Sequence, residues 1–249
     1  MVELILALLL STGVPDSQAR PDERDYSVVA PLIDDDPVIT RSEGFEAAHP
    51  GLMNRRLGLE ARQRGEFERA RTLFNRAARL GDKPSQAVYA EMLWHGEGGE
   101  DDRALAYAWM DLAAELSAPL FLLERERYWH RLDVADRTRA LQEGEALYAN
   151  YGNDALLEDD HARMIRARRN VTGSRLGWVG NLQVCFTPHA SRGGAYECNA
   201  TRRQGTDYYQ DRYWKPVAYR KWQAAQNRRL WALERVDIGL LETATESSP

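Results

Sequence analysis

The sequence has little cysteine. Its 249 residues contain only Cys185 and Cys198, too few for a disulfide-dense scaffold or a four-cysteine zinc site. Both lie in one local segment, with Pro188 and the pair Gly193–Gly194 between them as turn formers. This arrangement predicts a β-hairpin closed by a disulfide in an oxidising compartment. Free thiols, or a zinc fragment that also uses His189, are the alternatives.

Long apolar runs are also missing. The run Leu4–Leu10 is far shorter than the roughly 20 residues of a membrane-spanning helix, so we predict no membrane span. Small residues at Ser17 and Ala19 follow at the spacing of a secretory cleavage site. We therefore expect residues 1–19 to be a signal peptide. No lysine or arginine precedes the apolar run, and a buried N-terminal helix is the alternative.

Lysine is rare, because Lys83, Lys215 and Lys221 are the only three. This preference for arginine is typical of GC-rich bacterial genomes. Together with the predicted signal peptide, it favours a periplasmic or secreted protein of a Gram-negative envelope. The net charge of −5 is unevenly spread: residues 161–235 carry 15 Lys or Arg against four acids, which leaves −16 for the rest. Either the two parts attract each other, or the basic part binds an anionic partner.

Common catalytic motifs are absent. The sequence contains no G-x-S-x-G, H-E-x-x-H or G-x-G-x-x-G pattern, which mark serine hydrolases, zinc proteases and dinucleotide sites. Three acids and a histidine occur together at Glu158–His161. They stand where a helix is predicted to begin, which favours a solvated cluster that fits the helix dipole over a metal site. We predict no catalytic residue, metal or cofactor.

A repeat occupies the middle of the chain. Residues 69–82 superimpose on residues 105–118 at an offset of 36. In both copies a large pair precedes an alanine pair by four residues, so large and small side chains share one helical face. These pairs are Leu73–Phe74 with Ala77–Ala78, and Trp109–Met110 with Ala113–Ala114. A period of this size predicts stacked helical hairpins.

Two repeat families share this spacing. The first copy resembles the tetratricopeptide signature, with an alanine at Ala61 in place of its usual tyrosine; the matching residues are Leu57, Gly58, Ala70, Phe74 and Ala77. The second copy resembles the Sel-one-like repeat, a relative with a longer loop between its helices. Its loop is similar to His95–Gly99 and Asp102, and its second helix to residues 106–114, whereas Leu93 and Gly99 depart from its pattern.

The resemblance covers residues 54–117 and implies an α-solenoid that presents a concave helical surface to partner proteins. Gly96 and Gly98 are expected to adopt the positive φ angles of a tight loop. Asp102 is expected to cap the helix that follows. This glycine-rich stretch is therefore interpreted as scaffold.

The remaining segments complete the predicted organisation. Proline-rich residues 20–50 should form an extended acidic arm. Residues 51–169 should form the solenoid, closed by a polar-faced terminal pair of helices beyond Pro119, the second of them capped by Asp133. Residues 170–242 should form a disulfide-stapled β-hairpin module with a C-terminal helix, and 243–249 a disordered tail. The predicted fold class is mainly α.

Six aromatic and four basic residues interleave between Asp207 and Gln223. Such a segment can stack on sugars while it pairs with anions. Candidate residues for binding an anionic envelope polymer or glycan are Tyr209, Arg212, Trp214, Lys215, Arg220 and Trp222. The alternative is that the aromatic residues pack this module onto the solenoid while the cations meet its acidic part. Nucleic acid is not expected as the partner of an exported protein.

The leading hypothesis is a non-enzymatic adaptor that binds another protein. Its candidate binding residues lie on the first helix of the second hairpin and are Gln86, Tyr89, Met92 and His95. The second hypothesis is the polymer binder. The third is an enzyme with a site at the junction of the solenoid and the β-module.

The disulfide prediction can be tested by mass. The intact non-reduced protein should be lighter by about two hydrogen masses than the reduced protein, because closing the bond removes both thiol protons. Reduction should lower the free energy of unfolding by about 3 kcal/mol for a loop of this size. Equal masses under the two conditions would contradict the pairing.

Overall fold

The computed structural model describes residues 36–116, 119–172, 179, 182–186 and 201–233. The chain is mainly helical with one small sheet, as predicted. Among the described residues, no helix combines the length and apolar character needed to cross a membrane. The helices are α1 (Pro37–Thr40), α2 (Glu43–Ala48), α3 (Pro50–Gln63), α4 (Phe67–Arg79), α5 (Lys83–His95), α6 (Arg103–Ala113), α7 (Pro119–Arg131), α8 (Val134–Tyr151), α9 (Leu157–Thr172), α10 (Gly205–Tyr208), α11 (Asp211–Trp214) and α12 (Pro216–Leu233).

Aspartate caps begin the central helices. Asp82 accepts a hydrogen bond from the backbone N–H of Ser85 at the start of α5 (3.1 Å). Asp102 accepts one from Leu105 at the start of α6 (3.0 Å), and Asp133 caps α8. Each carboxylate satisfies a backbone donor that has no partner within its helix. The two predicted caps, Asp102 and Asp133, are confirmed.

The helical hairpins α3–α4 and α5–α6 pack against each other and form the larger core. Small residues permit the close approach, since a Cβ atom on Gly58 in α3 would lie only 3.1 Å from the ring of Phe74 in α4. Phe74 and Met110 occupy equivalent places in α4 and α6, and both are fully buried. The second helix of each hairpin therefore buries a large apolar residue at the same position.

Helix α5 is the centre of this core, because every residue from Lys83 to Trp94 is buried. Even the ammonium group of Lys83 is enclosed, where it donates to the Leu112 carbonyl (3.0 Å) and pairs with Glu115 (2.7 Å). A helix that is buried on all sides is enclosed by neighbouring elements and presents no face to solvent.

The glycine-rich loop after α5 adopts the predicted backbone. Gly96 and Gly98 have φ angles of 67° and 75°, and the Asp102 N–H donates to the Leu93 carbonyl (3.0 Å), which folds the loop back onto α5. Gly98 also touches the start of α4. A Cβ atom there would lie 2.4 Å from the carbonyl oxygen of Phe67, so only glycine fits.

Helices α7 and α8 continue the larger core. The Tyr128 ring stacks on Trp94 at 4.0 Å, and Tyr151 stacks on Trp109 at 5.6 Å. The outside of this terminal pair is polar at residues such as Thr138, Arg139 and Glu145, in line with the prediction, but it also exposes a few large apolar side chains. Sequence periodicity finds the inward face of a helix but does not show whether a further layer covers its flank.

A second core joins the beginning and the end of the described chain. Its buried members include Ile39, Phe45, Met164, Tyr213 and Trp214, from α1, α2, α9 and α11. The extended arm predicted over residues 20–50 is therefore wrong from residue 37 onward. Asp36 and Ser42 cap two short helices, which bury Phe45 edge-on against Tyr213 (5.5 Å).

Helix α9, predicted to belong to the solenoid, packs instead on α2, α11 and α12 in this second core. The sheet pairs β1 (Gln183–Phe186) antiparallel with β2 (Thr201–Gln204), and Cys185 lies opposite Arg202. Cys198, the signal peptide at 1–19 and the tail at 243–249 lie outside the described residues, so those predictions remain open.

Replacing Gly98 by alanine should destabilise the protein more than replacing Gly65. Both glycines have a φ of 75°, but no atom lies within 4 Å of a Cβ on Gly65. Gly65→Ala should cost about 1 kcal/mol for the backbone conformation alone. Gly98→Ala should cost about 1–3 kcal/mol more, because the loop must move away from α4. Urea unfolding measures both, and equal losses would contradict the close approach.

Candidate binding surface and interhelical cleft

The predicted binding residues on α5 do not form a surface. Gln86 and Met92 are fully buried and Tyr89 nearly so. The side-chain amide of Gln86 donates to the Ala78 carbonyl (3.0 Å), and the Tyr89 ring packs edge-on against Trp109 (5.5 Å). The prediction is wrong for these three residues because neighbouring helices cover the face that was expected to be concave and open. His95 is the one predicted contact that is exposed.

Charged side chains gather instead where the first helices of successive hairpins meet. Arg62 of α3 donates to both carboxylate oxygens of Glu97 (2.8 and 2.7 Å) and to Glu91 of α5 (3.2 Å). Bidentate pairing of this kind fixes both partners in orientation. It ties the loop after α5 to the first hairpin.

The same cluster extends to α7. Glu124 is buried and accepts a hydrogen bond from Arg127 (2.7 Å). Burial raises the pKa of the Glu124 carboxyl, and the positive charge of Arg127 opposes this effect. Burial also raises the pKa of Tyr128, and the charges of Glu91 and Glu124 act in the same direction. The two carboxylates therefore approach one tyrosine from different helices.

We call Arg62, Glu91, Glu97, Glu124 and Arg127 the first-helix cluster. One feature of the sequence indicates this cluster. Glu91 is the only charged residue in the run from Ala87 to Trp94. A charge in such a run requires a buried partner, but the sequence does not show that this partner is Arg62.

A small cleft lies between the two cores. It encloses about 30 Å³, roughly the space of one or two water molecules. Asp160 at its wall pairs with Arg220 (2.7 Å) and with Arg163, and Asp82 pairs with Arg55 (3.3 Å). Asp160 belongs to the acidic run at the start of α9, and it is buried and paired where a solvated residue was predicted. The lining residues also include His49, Tyr219 and Gln223.

His49 is the most constrained residue of the cleft. Its Nδ1 lies 2.8 Å from the Phe45 carbonyl and its Nε2 lies 2.7 Å from the Tyr213 carbonyl. Its ring also stacks on Phe45 at 3.9 Å. Burial lowers the pKa of His49 to about 4, and it outweighs the two carbonyls, which favour the charged form. The neutral ring donates to one carbonyl only.

The aromatic segment between Asp207 and Gln223 does not present a stacking surface. Tyr209 and Trp214 are buried, and the Trp214 indole N–H donates to the Tyr208 carbonyl (2.6 Å). The prediction that they stack on a polymer is wrong, because these rings fill the second core. Among the other candidates, Lys215 is exposed and pairs with Asp211, Arg220 pairs with Asp160, Arg212 lies over the Tyr213 ring and Trp222 packs against the second core.

Within the described ranges, no group of three or more histidine, cysteine, aspartate or glutamate side chains could hold a metal ion. Comparison with known proteins gives no match to any family model, curated protein or solved structure. The candidate sites therefore depend on geometry alone, and the first-helix cluster is the larger of the two.

The depressed pKa of His49 predicts acid sensitivity. The folded chain holds this ring neutral, whereas the unfolded chain protonates it near pH 6.5. Stability is therefore present above pH 6.5 and is lost as the pH falls toward 4, by about 3 kcal/mol from this group. The His49 ring resonances in an NMR titration should keep their neutral positions down to about pH 4. Titration near 6.5 would contradict the tight burial.

Proposed function

We propose that the protein is a non-enzymatic scaffold of the bacterial envelope that holds another protein at an exposed edge beside helices α3, α5 and α7, around His95, Glu100 and Asp101. The supporting observation is the first-helix cluster. In it, Arg62 of α3 pairs with Glu91 of α5 and with Glu97, while the charges of Glu91 and of Glu124 in α7 both raise the pKa of Tyr128. In tetratricopeptide-like and Sel-one-like arrays the first helices form the side that receives partners. The proposal therefore keeps the predicted function but moves the contact surface away from the buried face of α5.

The chemistry of the surface limits the partner. Three carboxylates against two arginines leave the first-helix cluster acidic, and the exposed acids Glu100 and Asp101 extend this character along the adjacent loop. His95 is exposed at the same edge, close enough to influence the charge of Glu124. A partner segment with basic or hydrogen-bonding groups fits these residues best.

Two further observations favour binding over catalysis. Arg62 and Arg127 occupy the carboxylates of the first-helix cluster, so none of them is positioned as a free acid or base. The cleft between the two cores encloses about 30 Å³, far below the roughly 300–1,000 Å³ of typical small-molecule sites. Export and a disulfide between Cys185 and Cys198 belong to the same proposal, because an oxidising envelope compartment would maintain that bond.

Site-specific photo-crosslinking tests the surface. A photoreactive residue at His95, on the edge of the first-helix cluster, should give a discrete adduct with the partner in extracts of the native cell envelope. The same probe at Arg76, exposed on the second helix α4, should not give this adduct. Charge reversal by Glu100→Lys and Asp101→Lys should weaken the His95 adduct, since both acids border the surface.

Circular dichroism of each labelled or substituted chain serves as the fold control. Adducts of equal yield from His95 and Arg76, or an adduct from Arg76 alone, would contradict the first-helix surface as the contact.

A further inference from the structure

Helices α7 and α8 end the larger core, and no other described element covers several large apolar side chains on their outer flank. Of the seven large apolar residues that the described ranges expose, four lie on these two helices. Val134, Leu141 and Tyr148 of α8 are 79%, 60% and 37% exposed. A polar outer face is what keeps the last element of such an array soluble, so this flank requires a cover.

The exposed residues of α8 form a single stripe. Val134, Leu141 and Tyr148 recur at intervals of seven, with Thr138 and Glu145 between them. A seven-residue repeat is the pattern along which two helices pack side by side. The inward face of α8 is a neighbouring stripe, marked by the buried Ala140 and Gly144. Tyr148 lies at the border of the two stripes, because its hydroxyl donates to the Asp111 carbonyl of α6 (3.1 Å). We call the five exposed positions the α8 seam.

We infer that the α8 seam binds the α8 seam of a second copy of the chain, antiparallel, across a two-fold axis at Leu141. The seam is symmetric about this residue, since Val134 and Tyr148 each lie seven positions away from it. Arg137 and Glu145 each lie four positions away and carry opposite charges. An antiparallel pair therefore places Leu141 on the partner's Leu141, and Arg137 opposite the partner's Glu145.

The side chains are available for this pairing. Glu145 is exposed. Arg137 lies over the Trp129 ring at 5.0 Å and uses Nε and Nη2 to hold the Trp129 carbonyl. These contacts fix the guanidinium beside the seam, so a salt bridge across the interface would require little further ordering.

The described residues at the other end of the larger core show no matching apolar patch. Helix α3 exposes no large apolar residue. Helix α2 packs against it, and Glu46 holds Arg56 at 2.7 Å. Head-to-tail stacking would need an apolar surface at that end, whereas a two-fold pair uses the same patch twice and closes the assembly. The second copy is therefore the occupant that fits.

Analytical ultracentrifugation of the full chain tests the inference. The unsubstituted chain should sediment as a dimer that dissociates on dilution. Leu141→Glu should be a monomer, because the substitution places two negatively charged carboxylates against each other at the two-fold axis. Val217→Glu changes a comparably exposed apolar residue of α12 (54%, against 60% for Leu141) to an acid and should leave the dimer intact. Glu145→Arg should raise the dimer dissociation constant roughly tenfold, since it opposes two cations.

Disulfide trapping tests whether residue 141 lies on the two-fold axis. Leu141→Cys should give a covalent dimer on a non-reducing gel, and Val217→Cys should not. A parent that stays monomeric at its highest soluble concentration would overturn the inference, and so would a dimer that survives Leu141→Glu. An unchanged dissociation constant for Glu145→Arg, or no trapping through residue 141, would overturn the antiparallel arrangement.

Discussion

The burial of α5 on all sides is the constraint on which the larger core depends. The hairpin α3–α4, helix α6 and helix α7 pack around α5. Such packing requires small side chains where neighbouring elements approach each other closely. Gly58 against the ring of Phe74, and Gly98 against the backbone of Phe67, are two places where only glycine allows so close an approach. The alanines that recur in α4 and α6 have the same effect. Because α5 is enclosed, its side chains stabilise the fold and leave partner contact to its edge at His95.

The ion pairs of the protein do not follow the separation into an acidic and a basic part that the sequence shows. The acidic portion of the chain is neutralised largely by its own arginines, as in Arg62 with Glu97 and Arg139 with Asp102. The basic portion meets the rest through a few pairs such as Arg203 with Asp36. The cleft between the two cores combines apolar residues such as Leu52, Leu80 and Met164 with the ion pairs of Asp160 and Asp82. Packing and ion pairs therefore act together where the two parts meet.

Features set by neighbouring residues, such as helix caps and loop glycines, could be predicted from the sequence. Contacts between residues far apart in the chain could not. Asp102 and Gly96 could be interpreted from sequence because a cap and a positive φ are set by neighbours in the chain. The burial of Gln86 could not, because it depends on helices from other parts of the sequence. The pairing of His49 with Tyr213 spans 164 residues. For the same reason the aromatic residues near the C-terminus resembled a binding surface until their partners in α2 were known.

Native-state hydrogen exchange of α5 tests the central claim most directly. If both hairpins and α7 enclose this helix, the amides of its interior should exchange only through global unfolding, with the same free energy and denaturant dependence as the whole larger core. Exchange of α5 amides through local opening, at a free energy well below that of global unfolding, would contradict the account.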